Sequence, residues 1–173
     1  MRKPLWLLLF GVLALALSSC ILVVDLPVSN FRFDSNWQRT TDGAFVFCTN
    51  KTNKTTLMRY RFRAPDSSVI ARIREQYVGF ASQPPRNVLL IDRPISDLRR
   101  DGNDLVFVGE LTFGEGGVPQ SLPGDVSQQS IVVTPITPPT SNNGRTTVTV
   151  TVTTISGRQY SGSYAYDTYT NCP

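Results

Sequence analysis

From Val148 to Val152 every second residue is valine with threonine between, and Tyr160, Tyr164 and Tyr166 are spaced by Ser161, Ser163 and Ala165. A period of two is the signature of strands with one buried face. The stretches Thr146 to Thr154 and Arg158 to Tyr166 therefore predict a terminal hairpin, and its register follows from the pattern. A two-residue loop, Ser156-Gly157, would set valine rows beside serine rows. A three-residue loop, Ile155-Ser156-Gly157, pairs Val152 with Tyr160 and Val148 with Tyr164, giving one Val/Tyr face and one Thr/Ser face. Gly157 then falls at the left-handed position that this loop type favours. A one-residue slip would invert a whole strand, so the amphipathic register is expected.

Elsewhere the alternation is shorter. Phe31 and Phe33 flank Arg32, and Ala44 to Cys48 follows the turn signal Asp42-Gly43. Leu57 to Arg63 sets Met58, Tyr60 and Phe62 on one face and Arg59, Arg61 and Arg63 on the other. Ile70, Ile73 and Tyr77 stand at helical spacing behind caps at Asp66 to Ser68, which predicts one short helix near 67–77; Val69, Ala71 and Ile73 fit a strand nearly as well. Val88 to Ile91 and Leu105 to Phe113 read as strands around a turn at Asp101 to Asp104. Asn50 to Thr55 and Gly114 to Ser130 read as loops, and Ile131 to Val133 as an edge strand ended by Pro135, Pro138 and Pro139. Short strands with turn signals about every ten residues predict an all-β domain. The expected architecture is a single antiparallel β-sandwich, immunoglobulin- or fibronectin-like, with a small barrel as second choice.

The N-terminus follows other rules. Arg2 and Lys3 precede an apolar run from Leu5 to Leu17, and Leu17-Ser18-Ser19-Cys20 comes next. A positive head, an apolar segment of about 7–15 residues and small residues before a cut describe an export signal, here an apolar helix over residues 1–19. Leu17 to Cys20 resembles the lipobox of bacterial lipoproteins. The resemblance implies cleavage before Cys20 and acyl chains, palmitate among them, on the new N-terminus. Two chains suffice for stable anchoring at about 0.8 kcal/mol per buried methylene. Ile21 is not the aspartate that retains many such proteins at an inner membrane, so the resemblance implies the outer membrane, or the outer face of the cell membrane where there is only one. The domain would then lie in the periplasm or at the cell surface. An uncleaved span from Leu5 to Val24, or a cut after Ala16, is the competing reading. The domain plan is thus signal peptide 1–19, lipidated N-terminus and tether 20–30, and β domain 31–173.

Charge and cysteine usage sharpen this picture. Without Arg2 and Lys3 the chain carries 15 basic residues against 13 acidic ones, a net of +2, which gives no reason to expect a nucleic-acid partner. If Cys20 takes lipid, Cys48 and Cys172 remain as a candidate disulfide for an oxidising compartment, or as two separate thiols. The sequence contains no histidine, which excludes Ser-His-Asp and Cys-His catalysis and histidine-based zinc sites. An enzyme here would run on carboxylates or on a calcium-type site.

Each candidate site has a plainer alternative. Arg59, Arg61 and Arg63 are candidates for contact with an anionic surface, or a solvated strand face. Tyr169 is the candidate for stacking on a glycan ring, whereas Tyr160, Tyr164 and Tyr166 are expected to pack on the valines. Asp97, Asp101, Asn103 and Asp104 depart from calcium-loop spacing and suit turns better. Glu110 and Glu115 are an undefined carboxylate pair. The expectation is a lipid-anchored envelope protein with a binding or structural role, without metal or cofactor, whose partner is another envelope protein or cell-wall glycan. The alternatives are a carboxylate-dependent enzyme acting on envelope polysaccharide and an assembly factor that offers a sheet edge to a client strand.

Overall fold

A computed structural model describes residues 27–49, 55–80, 87–112, 124–125, 131–137, 142–170 and 172. The signal stretch, Cys20, most of the 50–55 loop and Glu115 lie outside them. Twelve strands follow in chain order: β1 (Ser29–Ser35), β2 (Trp37–Arg39), β3 (Phe45–Thr49), β4 (Thr55–Arg63), β5 (Ile70–Phe80), β6 (Asn87–Arg93), β7 (Arg99–Asp101), β8 (Asp104–Thr112), β9 (Gly124–Asp125), β10 (Thr134–Ile136), β11 (Asn142–Thr154) and β12 (Gln159–Thr170). Helix among the described residues is confined to two short 3-10 turns, Ser67–Val69 and Ile95–Asp97. The chain is all-β. No described helix is long and apolar enough to cross a membrane.

The terminal hairpin has the expected register. Val152 lies opposite Tyr160 and Val148 opposite Tyr164. The amide of Thr154 donates to the carbonyl of Arg158 across the Ile155-Ser156-Gly157 loop, and Gly157 takes the left-handed conformation at φ 83°. Both strands run further than their alternation, β11 back to Asn142 and β12 on to Thr170.

Residues 70–80 correct the helical expectation. They form β5, which hydrogen-bonds to β11 on one side and β6 on the other. Ile73, Glu75, Tyr77 and Gly79 are buried while Arg72 and Arg74 are exposed, so the period is two. Helical spacing of Ile70, Ile73 and Tyr77 loses because two strands already supply this segment's backbone partners. The expected edge strand also moves, from 131–133 to β10, and takes Pro135 into itself. That is tolerated because β10 has a neighbour on one side only. Val28 is buried in the core, just ahead of β1.

The strands form two sheets. One runs β1-β4-β8-β7, with β9 also beside β8; the other runs β10-β2-β3-β12-β11-β5-β6. Most pairs are antiparallel, but β12 pairs with β3, and β10 with β2, in parallel, so the second sheet is mixed rather than purely antiparallel. The β3–β12 pair sets Cys48 opposite Tyr169. Cys48 and Cys172 stand at disulfide distance, their Cα atoms 6.0 Å apart and 124 residues apart in sequence.

Both sheets contribute to one hydrophobic core. Met58, Tyr60, Phe62, Leu105 and Phe107 come from the first, and Phe47, Ile73, Tyr77, Val148, Val150, Val152 and Tyr166 from the second. Phe47 and Tyr166 stack with ring centroids 4.0 Å apart. On the other side of β3, Val46 and Cys48 join Ile136, Tyr169 and Cys172 in a smaller cluster against Trp37. The two sheets are also stitched through polar atoms. The Thr56 hydroxyl donates to the Cys48 carbonyl at 2.7 Å and accepts the Cys48 amide at 3.1 Å.

One glycine is required by close approach. A Cβ on Gly162 would lie 2.3 Å from Cβ of Phe31, an atom fixed close to the β1 backbone. Gly162→Ala is therefore expected to destabilise the domain by about 1–3 kcal/mol through overpacking. Chemical denaturation measures it, with Gly102→Ala, where the left-handed φ is strained but a Cβ meets nothing, separating crowding from backbone strain.

Candidate functional site

Two outward faces and one buried cluster hold the side chains with chemical potential. The broadest face belongs to β12, β11, β5 and β6, whose pairing lines up rows across four strands. Ala165, Thr147, Val78 and Val88 make one row. Ser163, Thr149, Gln76 and Leu90 make the next, and Ser161, Thr151, Arg74 and Asp92 the third. These residues point away from the core because the valines and tyrosines of the same strands point into it. The β11–β12 half of this face is thus a surface of short hydroxyl side chains, spaced about 4.8 Å between strands and about 6.8 Å along each strand, and the β5–β6 half carries Val78, Gln76, Arg74, Val88, Leu90 and Asp92. Such a surface can exchange hydrogen bonds with a polyhydroxylated or polypeptide partner over several subsites. The face ends at β6, where Asp92 accepts from both Arg72 and Arg74, and where Val88 and Leu90 are 52% and 57% exposed.

The predicted arginines lie together on the outer face of the smaller sheet but are not equivalent. Arg59 donates Nε to Asp34 at 2.7 Å and Nη2 at 2.6 Å, and Asp34 is itself buried. Arg59 is thus paired within the fold. Arg61 lies opposite Arg32 on β1, and its other neighbour, Val106, lies opposite Arg99 on β7. Arg63 lies opposite Asp104. Arg32 and Arg99 joined this face without any sequence signal, since strand pairing alone places them there.

Tyr169 is corrected. Only 6% exposed, it packs in the smaller cluster, and its hydroxyl accepts from Nη1 of Arg39 at 2.9 Å, so its ring is not presented to a glycan. Arg39 also binds Asp167 and Asp42, and its hydrogen bonds hold the Asp42 carboxyl at a pKa of about 2. Burial pushes the Asp167 carboxyl up, but hydrogen bonds from Arg145 and Arg39 outweigh that and leave it below the usual range.

The buried cluster escaped the sequence reading. Glu75 lies fully buried on β5 between Ile73 and Tyr77. Its Oε1 accepts from the Tyr60 hydroxyl at 2.6 Å and from Arg93 Nε at 2.8 Å. Its Oε2 accepts from the Tyr77 hydroxyl and from Arg93 Nη2, both at 2.9 Å. Arg93 also lies 4.1 Å above the centre of the Phe107 ring. Burial, then the Glu75 charge, pushes both phenols well above their ordinary range, so they remain donors at all physiological pH values. Every carboxylate oxygen has two donors, and the arrangement holds strands together instead of offering a base to a substrate. Its signal was a charge at an inward position, which the helical reading of 67–77 concealed.

The calcium candidates separate. Asp97 binds Arg93, and Asp101 and Asp104 close the β7–β8 turn around Gly102. Glu110 is exposed on β8. No group of three or more metal-ligating side chains occurs among the described residues. No protein-family model matches the chain, and no curated protein matches it.

Proposed function

We propose that this chain is a bacterial envelope lipoprotein, held by acyl chains on Cys20, whose β-sandwich domain acts through binding or structural support. The observation that carries the binding role is the Thr/Ser face of β11 and β12, where Thr147, Thr149 and Thr151 line up with Ala165, Ser163 and Ser161 over the valines and tyrosines of the core. Its hydroxyl lattice suits cell-wall glycan or the polar surface of another envelope protein. The buried carboxylates, Asp34 and Glu75, are each held bidentate by an arginine, which suits architecture better than acid–base chemistry. The Cys48–Cys172 pair accords with an exported, oxidised domain. Arg32, Arg61, Arg63 and Arg99 give the smaller sheet a cationic outer face suited to lying near anionic envelope surfaces.

Crosslinking in intact cells tests this reading. The wild-type chain should carry a diacylglyceryl mass on residue 20, fractionate with membranes and capture glycan or an envelope protein. Cys20→Ala should lose the added mass, leave the membrane fraction and lose most of that capture. An unprocessed chain recovered with cytosolic partners, or a variant that still partitions like wild type, would overturn the assignment.

A further inference from the structure

The two sheets have four edges, and three are protected against pairing. At β1 the register shifts between Ser29 and Arg32, beside the left-handed Asn30 at φ 54°. The outer side of β8 carries β7, three exposed residues of which two are arginine, and the two-residue β9. β10 has three residues and contains Pro135. These are common devices against unwanted strand addition.

β6 has none of them. It runs seven residues, Asn87–Arg93, without proline or register shift, and no described strand pairs with its outer edge. Its centre is apolar on both faces. Val88 and Leu90 project outward, while Leu89 and Ile91 pack only partly against the core. Its charges are already paired, Asp92 with Arg72 and Arg74, and Arg93 with Glu75. What remains along the edge is aliphatic surface and backbone that no described strand pairs.

We propose that β6 pairs with β6 of a second copy of this chain, antiparallel and centred on Leu90, joining the two larger sheets into one. The strand is complementary to itself in that register. Leu90 meets Leu90 of the other copy on the outer face, and Leu89 meets Ile91 on the inner face. Asp92 meets Val88, so no like charges are opposed. The half-covered Leu89 and Ile91 of each copy close the rim of the other's core. The contact is isologous and closes as a two-fold dimer, leaving the Thr/Ser faces of both copies on one side of a continuous sheet. This inference rests on the edge geometry alone and stands or falls independently of the lipid on Cys20.

Leu90→Cys in the full chain tests the register, because antiparallel partners about 4.5–5.5 Å apart at Cα fall within disulfide range. In the purified chain under mild oxidation it should yield a disulfide-linked dimer, whereas Val132→Cys, exposed beside β10 at the far end of the same sheet, should not. Leu90→Lys should halve the particle mass of the purified chain without shifting its melting transition. Mixing Leu90→Lys with Leu90→Asp should restore a dimer containing one of each. The proposal is overturned if the wild type stays a single chain at all accessible concentrations, if Leu90→Lys dimerises like wild type, or if residues 90 and 132 crosslink equally. Should the monomer instead take up an added extended peptide along β6, the edge receives a client strand and the dimer is excluded.

Discussion

Arg93→Ala is expected to destabilise the domain by about 3–5 kcal/mol, because it leaves the Glu75 carboxylate buried with its countercharge gone. The melting temperature should fall on the order of 10 °C. Exposed pairs are worth far less, so Arg72→Ala, on the solvent side of the neighbouring strand, should cost less than about 1 kcal/mol. Removing the charge pair and both hydroxyls together tests the cause. In a chain carrying Glu75→Met, Arg93→Met, Tyr60→Phe and Tyr77→Phe, no polar group of the cluster is stranded. Stability should recover most of the loss, since a buried ion pair gains little over well-packed apolar side chains. Denaturant unfolding of the three proteins measures this. If Arg93→Ala and Arg72→Ala cost the same, the Glu75 site is solvated and its role is misassigned.

The second large effect is expected at the disulfide. Opening the Cys48–Cys172 bridge releases a loop of 124 residues, which on the chain-entropy account is worth about 4–5 kcal/mol. Unfolding with and without reductant compares the two states of one sequence. The reduced chain should unfold at markedly lower denaturant, and the denatured, unreduced, lipidated chain should show no free thiol. Two titratable thiols, or coincident unfolding curves, would mean that the pair does not form. The bridge and the β3–β12 pairing act on the same juncture, Cys48 opposite Tyr169, so their contributions are coupled. Loss of the bridge should therefore free the last residues of β12 first, exposing Tyr169 and its contact with Arg39.

Sequence reading was most reliable where the physics is local. The Val/Tyr and Thr/Ser faces follow from period two, and the loop glycine from turn geometry, so the β11–β12 register was legible from a single stretch of chain. The β4 arginines were correctly set on one face for the same reason. Their roles were not legible, because Arg59 meets Asp34, a residue 25 positions away, only after β1 pairs with β4. The helix expected near 67–77 survives only as the 3-10 turn Ser67–Val69 capped by Asp66, because helical spacing of three apolar residues says nothing about hydrogen-bond partners. β11 and β6 provide them and make the segment a central strand. Tyr169 looked exposed at the end of an alternating run, but parallel pairing with β3 carried β12 onward and buried it.

The sequence by itself determined that the domain is all-β and how its last hairpin pairs. Tertiary structure alone decided that Glu75 and Arg93 meet inside the core, that arginines from β1, β4 and β7 share one face, and that β6 is an edge with no described strand beyond it. Alternation is a property of neighbouring residues and survives without a fold. Which charges meet and which strand pairs with which depend on contacts between segments as much as 132 residues apart, and no local pattern encodes them.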